Sequence, residues 1–331
     1  MELIRPHQAT IAIKTLEEAI GPLPQGLLYT KGSEVFLTPE LRDFIASRSQ
    51  GLHLWAIDMR TIAHPMAERF RKSGDLQPLK KMENLWKLKL STLPTEVRSY
   101  MTRVHTNPRI KVILVDDCPM PLGYPDPENP GKQKSGYWRH HFFPEYKGGR
   151  KQKPSTWGDC TKAAYSAAQS LGIPVVRFPY FEADDIFGSM VRHLPGYPNI
   201  LSMGILTVDT DLLQLVSDPG NEPPVYWYNL LTYEPRFRDY QGTVDYWLKR
   251  HKREILGPRE IVEIKAAEGD KSDNLPPGTD PGLIDLLYPK IPLEEVPGIY
   301  GPQNSRYLEE WETLGQKASV ECMIDGTWDS Y

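Results

Sequence analysis

The chain has 331 residues, of which 40% are hydrophobic and 25% charged, and its formal net charge is −4. This composition is typical of a soluble globular protein that buries one large core or two modest ones. The three cysteines, Cys118, Cys160 and Cys322, lie far apart and match no paired metal spacing, which argues against a disulfide framework and a structural zinc site. The apolar runs are too short to span a bilayer and the start shows no leader pattern, so we expect a cytoplasmic protein.

Residues 1–50 form an N-terminal extension without recognisable chemistry. Two short apolar stretches, 27–30 and 35–37, flank a predicted turn at residues 31–34. A helix is predicted to begin after Thr38, with Pro39 in its first position. The role of this extension is not indicated by the residues.

From residue 52 the pattern alternates between short apolar runs and helical stretches. Strands are predicted at residues 54–58, 109–116, 173–178, 205–209 and 225–228, and helices at 161–171, 183–194 and 258–268. Proline-rich segments at 119–130, 219–224 and 276–302 are interpreted as connecting loops. This alternation predicts an α/β fold with a mostly parallel central sheet flanked by helices.

Acidic residues stand where the predicted strands end. They are Asp58, the pair Asp116 and Asp117, Asp209 with Asp211, and a group that opens a helix, Glu182, Asp184 and Asp185. The carboxyl ends of parallel strands share one edge of a sheet, so we expect these acids to converge. Oxygen ligands without interleaved His or Cys favour Mg²⁺ or Mn²⁺, and two such ions about 3.5–4 Å apart would suit phosphodiester hydrolysis. The alternative for each acid alone is a turn residue or a helix cap.

Three motifs carry a family resemblance. Residues 181–186 read Phe-Glu-Ala-Asp-Asp-Ile, residues 208–216 read Val-Asp-Thr-Asp-Leu-Leu-Gln-Leu-Val, and residues 269–274 read Gly-Asp-Lys-Ser-Asp-Asn. Upstream, residues 144–150 read Pro-Glu-Tyr-Lys-Gly-Gly-Arg. In this order and spacing, residues 54–312 resemble the 5′-nuclease family, which comprises the 5′–3′ exonuclease domain of bacterial DNA polymerase I, bacteriophage 5′ exonucleases and flap endonucleases.

The resemblance implies a PIN-like 5′-nuclease fold with a C-terminal helix-hairpin-helix-like region. The domains would be the extension at 1–50, a nuclease core at 51–245 with a basic arch segment at 132–160, a DNA-binding region at 246–315 with an insertion at 277–295, and a tail at 316–331. It also implies two Mg²⁺ ions, with Mn²⁺ as a substitute. The tighter metal site would use Asp58, Asp116, Glu182 and Asp184, whereas Asp185, Asp209, Asp211 and Asp273, with Asp270 beside them, would form or support the second. Asp117 stays open as the alternative to Asp116.

The segment 132–153 holds seven Lys or Arg residues and one acid, interleaved with aromatic residues. Basic side chains can track phosphates while aromatic faces stack on unpaired bases; a solvated charged loop is the alternative. By resemblance, Lys147 and Arg150 would neutralise the transferring phosphate. Further DNA contacts would come from Arg139, Tyr146, Lys151, Lys153, Gly298 and Gly301. A second basic run at 249–253 is interpreted as a solvated face, with duplex contact as the alternative.

Three departures from the family pattern matter. One is the N-terminal extension at 1–50, which the resemblance does not explain. Met59 and Arg60 stand where the family usually has glycine and asparagine after its first Asp. About 20 residues separate Asn274 from the hairpin-like sequence at 296–301, and Gln303 stands where lysine is usual, so the potassium ion that the resemblance implies at that hairpin is in question.

The function that we predict is a metal-dependent 5′–3′ exonuclease and flap endonuclease that acts on DNA with 5′ ends, flaps or nicks, and on RNA–DNA hybrids, in replication or repair. A replicative DNA polymerase is the expected protein partner. The alternatives are a PIN-like ribonuclease and a non-catalytic DNA-structure-binding protein.

Overall fold

The computed structural model describes most of the region between residues 52 and 258. The described residues are 52–73, 78–101, 109–126, 131–137, 139–142, 144–149, 153–177, 180–193, 200–217, 223–229, 237–258, 260, 261, 264, 268 and 274, together with the backbone of residues 10–12, 30–31 and 34–36. The predicted helix after Thr38, the insertion at 277–295 and the tail at 316–331 lie outside them, as do most of the helix-hairpin-helix-like region and most of the helix at 258–268.

The N-terminal extension contains a small antiparallel sheet. Its strands are β1 (Thr10–Ala12), β2 (Thr30–Lys31) and β3 (Glu34–Phe36), in the order β1-β3-β2. The pairing of Lys31 with Glu34 closes the β2–β3 hairpin and confirms the predicted turn.

A six-stranded sheet forms the centre of the fold. Its strands are β4 (Leu52–Asp58), β5 (Arg109–Val115), β8 (Val175–Val176), β9 (Ile200–Leu206), β10 (Val225–Tyr228) and β11 (Phe237–Arg238), in the order β11-β10-β9-β4-β5-β8. Every neighbouring pair is parallel except β10 and β11. The predicted α/β architecture with a mostly parallel sheet is confirmed, and the five parallel strands place their carboxyl ends on one edge.

Helices cover both faces of this sheet. They are α1 (Met59–Ser73), α2 (Pro78–Met101), α3 (Arg139–Phe142), α4 (Trp157–Ser170), α5 (Ala183–His193), a 3₁₀ helix (Asp211–Leu215) and α6 (Tyr240–His251). On one face α1, α2 and α4 pack in a core that contains Trp55 and Trp86, and on the other α5 and α6 pack in a core that contains Trp227 and Trp247. None of the helices in the described part of the chain is long and apolar enough to cross a membrane.

The close packing of β4 against β9 requires a glycine. The indole of Trp55 lies over Gly204, and a Cβ atom at this position would approach the ring to 2.1 Å. Since Trp55 is fully buried and cannot move aside, only glycine fits here. The contact fixes the relative position of two strands whose ends carry acidic residues.

The region after β5 differs from the prediction. The proline-rich stretch 119–130, predicted as a loop, contains β6 (Met120–Pro125), which pairs with β7 (Gln133–Gly136) in an antiparallel hairpin. Proline is compatible with such a strand because a two-stranded ribbon has outer edges where no backbone N–H is needed. The ladder is also irregular, with a register shift between Pro121 and Pro125.

Candidate metal and nucleic-acid site

Acidic residues from four parts of the chain lie at the carboxyl edge of the sheet. Asp58 is the last residue of β4, Asp116 directly follows β5, Asp184 lies in the first turn of α5, and Asp209 follows β9. Because β4, β5, β8 and β9 run parallel, their ends bring these residues to one side of the molecule.

Asp58 both caps a helix and links two strands. Its Oδ1 accepts a hydrogen bond from the backbone N of Arg60 (2.9 Å), in the manner of a helix N-cap. Its Oδ2 accepts from the hydroxyls of Thr61 (2.8 Å) and Thr207 (2.9 Å), the latter just beyond β9. The carboxylate is therefore fixed in orientation at the start of α1.

The pKa of Asp58 predicts how metal binding depends on pH. Burial raises this pKa from 3.8 to about 6, and the charges of Asp117 and Asp209 add to the rise while a hydrogen bond from Thr61 opposes it. The folded, metal-free state therefore retains a proton that the unfolded chain has lost, and loses stability as the pH rises from about 4 to 6. Bound metal would displace this proton, so Mn²⁺ affinity should rise by at least about tenfold per pH unit below pH 6, and more steeply if Asp116 and Asp184 release protons as well.

Isothermal titration calorimetry with Mn²⁺ at pH 5, 6 and 7 tests this, with two buffers of different ionisation enthalpy to count released protons. Equal affinity at pH 5 and 7 without proton release would contradict the assignment of Asp58 as a ligand.

Asp117 is held by three neighbours. Its carboxylate accepts hydrogen bonds from the Tyr137 hydroxyl (2.9 Å) and from the backbone N of Ala183 at the start of α5 (2.8 Å). Nη1 of Arg60 forms an ion pair with its Oδ2 at 2.7 Å. Both carboxylate oxygens are thus engaged by the protein.

Asp116 is held on one side only. Its Oδ2 accepts a hydrogen bond from the Tyr165 hydroxyl (2.5 Å), and that hydroxyl accepts one from Nη1 of Arg177 (2.9 Å). Its Oδ1 is buried and accepts no hydrogen bond from the described residues, and its nearest cation is Nε of Arg60 at 3.8 Å. Burial raises the pKa of Asp116, and the charge of Asp117 adds to the rise. An oxygen without a partner distinguishes Asp116 from Asp117 as a candidate ligand.

Tyr165 is expected to position Asp116, because its hydroxyl holds Oδ2 and so orients Oδ1. Tyr165→Phe should lower Mn²⁺ affinity by about 10- to 100-fold, the usual effect of removing an outer hydrogen-bond partner of a ligand. Calorimetric titration gives the affinity. Tyr240→Phe is the matched control. Tyr240 lies on α6, far along the chain from Asp116, and its hydroxyl donates to the carbonyl of Leu256 (3.0 Å). Unchanged affinity in Tyr165→Phe would show that Asp116 needs no such support.

Arg139 forms a buried ionic cluster at the start of α5. Its guanidinium donates to Glu182 Oε2 (2.8 Å) and, through two nitrogens, to both oxygens of Asp185 (2.8 and 2.5 Å). Asp185 also accepts from the backbone N of Glu182 (2.9 Å), which resembles a capping box. All three side chains are at least 94% buried. Asp185, predicted as a ligand of the second metal, is thus engaged by an arginine.

Glu182 is also held by the basic segment. The Tyr146 hydroxyl donates to its Oε2 (2.9 Å), and Nζ of Lys147 donates to its Oε1. Burial alone would raise the pKa of Glu182, but the charges of Lys147 and Arg139 lower it below its usual range. In this structure Lys147 therefore pairs with a predicted metal ligand.

Asp184 and Asp209, unlike Glu182 and Asp185, form no ion pair with a Lys or Arg among the described residues. The structure gives the Asp184 carboxylate no hydrogen bond to any described residue. Burial raises its pKa well above the usual range, and the charges of Asp209 and Glu182 add to this. Asp209 Oδ1 accepts from the backbone N of Asp211 (2.9 Å), which opens the 3₁₀ helix. Two carboxylates that repel each other at a sheet edge favour a bound cation.

The donor set fits a divalent cation in part. The unpartnered Oδ1 of Asp116 and the mutual repulsion of Asp184 and Asp209 both favour cation binding. Within the described residues, however, no three acidic, His or Cys side chains are already arranged to hold a metal ion. The predicted acids converge, but cationic side chains of the protein, Arg139 and Lys147 among them, occupy several of the carboxylates.

Two predicted DNA contacts are in the interior. Arg139 is 2% exposed and Tyr146 is 4% exposed, and both hold Glu182. The structure thus differs from the expectation of DNA contact at these positions, because their polar atoms point to buried carboxylates. Lys153, by contrast, is exposed and lies over the Trp157 ring, 4.8 Å from its centre.

Several predicted site residues lie outside the described residues: Arg150, Lys151, Asp270, Asp273, Gly298 and Gly301. The last residue of the 269–274 motif is described. Nδ2 of Asn274 donates to the carbonyl of Glu145 (3.1 Å), so this end of the motif lies against the turn that carries Lys147.

Sequence reasoning missed three groups that shape the site: Arg60, Tyr165 with Arg177, and Trp157. In the sequence, Arg60 differs from the family pattern, but nothing there indicates its contact with Asp117. Tyr165 and Arg177 lie 49 and 61 positions after Asp116, so no local pattern links them to it. Trp157 begins α4, four positions before the predicted start of that helix.

Comparison with known proteins supports the family resemblance. Residues 131–239 match the family model described as 5′-3′ exonuclease, N-terminal resolvase-like domain. This part of the chain is therefore similar to the 5′-nuclease family. The matched residues include the basic segment, the Glu182 motif and the Asp209 motif.

Two relatives agree with this similarity. The chain is 30% identical over 208 residues to DNA polymerase I of Lactococcus lactis strain IL1403, an alignment that covers 57% of this chain and 22% of the relative. It is 29% identical over 143 residues to a 5′-3′ exonuclease of Bacillus subtilis strain 168, covering 42% of this chain and 43% of the relative. The chain therefore spans less than half the length of either relative. A solved structure of T5 5′-exonuclease with bound zinc has 17% identity and a TM-score of 0.44, over 83% of this chain and 89% of that one.

Proposed function

We propose that this protein is a metal-dependent 5′ nuclease that hydrolyses phosphodiester bonds at or near 5′ ends of DNA. The observation that carries the proposal is the convergence of carboxylates at one sheet edge within a chain similar to the 5′-nuclease family, with Oδ1 of Asp116 buried and without a hydrogen bond from the described residues. A protein that only binds DNA would gain nothing from carboxylates that repel each other and the phosphates.

Divalent ions, Mg²⁺ in preference to Mn²⁺, would be held by Asp116, Asp184, Asp209 and Asp58. When bound, they supply charge neutralisation and activate a water for attack on phosphorus. Asp58 and Asp116 are oriented for this by the hydrogen bonds that they accept from Thr61, Thr207 and Tyr165. Glu182, Asp185, Asp211, Asp270 and Asp273 complete the proposed acidic set.

Lys147 is proposed to move from Glu182 to the transferring phosphate. Its backbone has φ = +56°, a region that favours glycine, so the turn places this side chain at some conformational cost. Glu182 would also help to hold a divalent ion, whose charge would weaken the pairing of Glu182 with Lys147 and leave the ammonium group for an anionic phosphate. Arg150, three positions further on, is proposed to act beside it.

The substrates proposed are flaps, nicked duplexes and RNA–DNA hybrids, in replication or repair beside a DNA polymerase. Relatives named DNA polymerase I and 5′-3′ exonuclease support this setting. The cytoplasmic location, expected from the scattered cysteines, stays a prediction.

The decisive test is digestion of 5′-labelled versions of these three substrates with Mg²⁺, with Mn²⁺ and with EDTA. We expect short labelled products with either metal and none in EDTA. The double variant Asp184→Asn, Asp209→Asn should bind the flap substrate with little change and cleave none of it. Cleavage in EDTA, or no cleavage by the unmodified protein with any metal, would contradict the proposal.

A further inference from the structure

Arg60 lies at the edge of the acidic pocket. It is in the first turn of α1, and its backbone N donates to Oδ1 of Asp58 (2.9 Å), so its Cα is fixed next to the candidate metal site. Its side chain is 22% exposed. The residue is thus held from the protein side and still reachable from solvent.

The guanidinium of Arg60 is only partly satisfied by its acidic neighbours. Nη1 is 2.7 Å from Oδ2 of Asp117, whereas Nε is 3.8 Å from Oδ1 of Asp116. The second distance is too long for a hydrogen bond, and Nε is buried without a hydrogen-bond partner among the described residues, so the exposed part of the side chain does not include this atom. A structural Arg–carboxylate pair would normally form two parallel hydrogen bonds, as Arg139 does with Asp185. Arg60 therefore keeps donor capacity for a further acceptor.

Two aromatic rings flank this guanidinium and bring other cations near it. The Arg60 guanidinium carbon is 6.0 Å from the centre of the Tyr137 ring and 5.9 Å from that of Trp157. Lys147 Nζ lies 5.5 Å from the Tyr137 ring centre, and Lys153 Nζ lies 4.8 Å from that of Trp157. Arg60, Lys147 and Lys153, hereafter the basic rim, thus share two rings.

The carboxylates of Asp117 and Glu182 offset part of the charge of Arg60 and Lys147, whereas Lys153 forms no ion pair with a described residue. The remaining repulsion between the three cations is relieved when a further anion joins them. Desolvation and the charge of Arg60 lower the pKa of Lys153, which is the sign of this repulsion. The aromatic faces attract the three cations without using their N–H donors. The basic rim is therefore arranged to receive an anion with several acceptor oxygens.

We propose that Arg60 binds a non-bridging oxygen of a DNA phosphodiester at the mouth of the acidic pocket, with the Tyr137 and Trp157 rings holding its guanidinium in place. This inference rests on the proposed nuclease function and adds to it a substrate contact beyond Lys147 and Arg150. A guanidinium suits this contact because its planar fork matches phosphate geometry. Its position beside Asp116 places the bound phosphate next to the candidate metal ligands.

The test is a double-mutant cycle, hereafter the binding cycle, in which one change is made in the protein and one in the DNA and their effects on affinity are compared. Binding of a 5′-flap substrate in EDTA is measured by fluorescence anisotropy for the unmodified protein, Arg60→Gln and Arg69→Gln. Arg69 is an exposed arginine on the same helix and serves as the matched control. Each protein is tested with normal DNA and with DNA that carries one uncharged methylphosphonate linkage, moved stepwise across the flap junction.

We expect Arg60→Gln to weaken binding of normal DNA by about 10- to 100-fold, the loss typical of a hydrogen bond to a charged group. At one linkage, the methylphosphonate should weaken binding by the unmodified protein and by Arg69→Gln, yet cause no further loss in Arg60→Gln. Arg60→Lys, which keeps the charge, should recover part of the affinity. If the losses multiply independently at every linkage, or if Arg69→Gln behaves like Arg60→Gln, the proposed contact is overturned.

The two proposals fail separately. Metal-dependent cleavage of normal DNA without the binding cycle would overturn only the role of Arg60. The binding cycle without cleavage under any metal would support the phosphate contact and overturn the nuclease function.

Discussion

Replacing Asp184 with Asn is expected to reduce metal-dependent cleavage by about 10²–10³-fold while making the metal-free protein more stable. The Asp184 carboxylate is repelled by Asp209 and Glu182 and accepts no hydrogen bond from the described residues, so its charge is unfavourable until a cation binds. Asn has nearly the same shape and no charge. The variant thus removes both the repulsion and a proposed metal ligand.

The stability gain has a defined pH dependence. Because the folded-state pKa of Asp184 is raised, the folded protein is penalised for ionising this group as the pH rises, and the unfolded chain is not. Asp184→Asn should therefore gain little stability at pH 4 and progressively more as the pH rises to 7.5, measured by urea unfolding in EDTA.

Asp245→Asn is the matched control for this variant. Asp245 is exposed on α6 and accepts a hydrogen bond from Gln241. Its replacement should therefore change neither the cleavage rate nor the pH dependence of the free energy of unfolding. Retained turnover in Asp184→Asn, or a loss of stability at pH 7.5, would contradict the role given to this carboxylate.

Arg139→Met is expected to lower the free energy of unfolding by about 3–5 kcal/mol, the largest stability effect that the structure predicts. Arg139 is buried and neutralises both Glu182 and Asp185. Methionine fills a similar volume but leaves Asp185 without its bidentate partner and Glu182 with one cation fewer. The cost comes from leaving charge buried without compensation, rather than from the lost attraction alone.

Urea unfolding of Arg139→Met and of the double variant Arg139→Met, Asp185→Asn measures this effect. The double variant should recover part of the loss, because it removes the carboxylate that Arg139 had neutralised. Arg253→Met is the control: this arginine is 53% exposed and its pair with Glu268 spans 3.4 Å in solvent, so the change should stay within about 0.5 kcal/mol. A stable Arg139→Met protein would show that the cluster is dispensable.

Asp184 and Asp185 have different surroundings that their shared motif does not indicate. Asp184 and Asp185 are adjacent, and both were predicted as metal ligands from the same motif. In the structure one accepts no hydrogen bond from the described residues and the other is bound by Arg139, 46 positions earlier. Neighbouring residues at a helix start point in directions about 100° apart, so they meet different parts of the fold.

Asp116 and Asp117 make the same point at the end of a strand. The sequence left them as alternatives, and the structure separates them because successive side chains of an extended segment point to opposite sides. Asp116 faces Tyr165 of α4, and Asp117 faces the start of α5. Both contacts come from residues 49 and 66 positions further along the chain, so the sequence around Asp116 and Asp117 does not indicate them.

Sequence patterns alone predict the α/β class, the strands that precede the acids, and the edge at which those acids meet. These features follow from local rules, because an acid after a buried strand keeps its place relative to that strand and parallel strands share one carboxyl edge. Only the folded chain shows which carboxylates pair with Arg60, Arg139 or Lys147 and which have no such cation. That choice depends on charges brought together over tens of residues, and their energies are set by distance and burial in the folded chain.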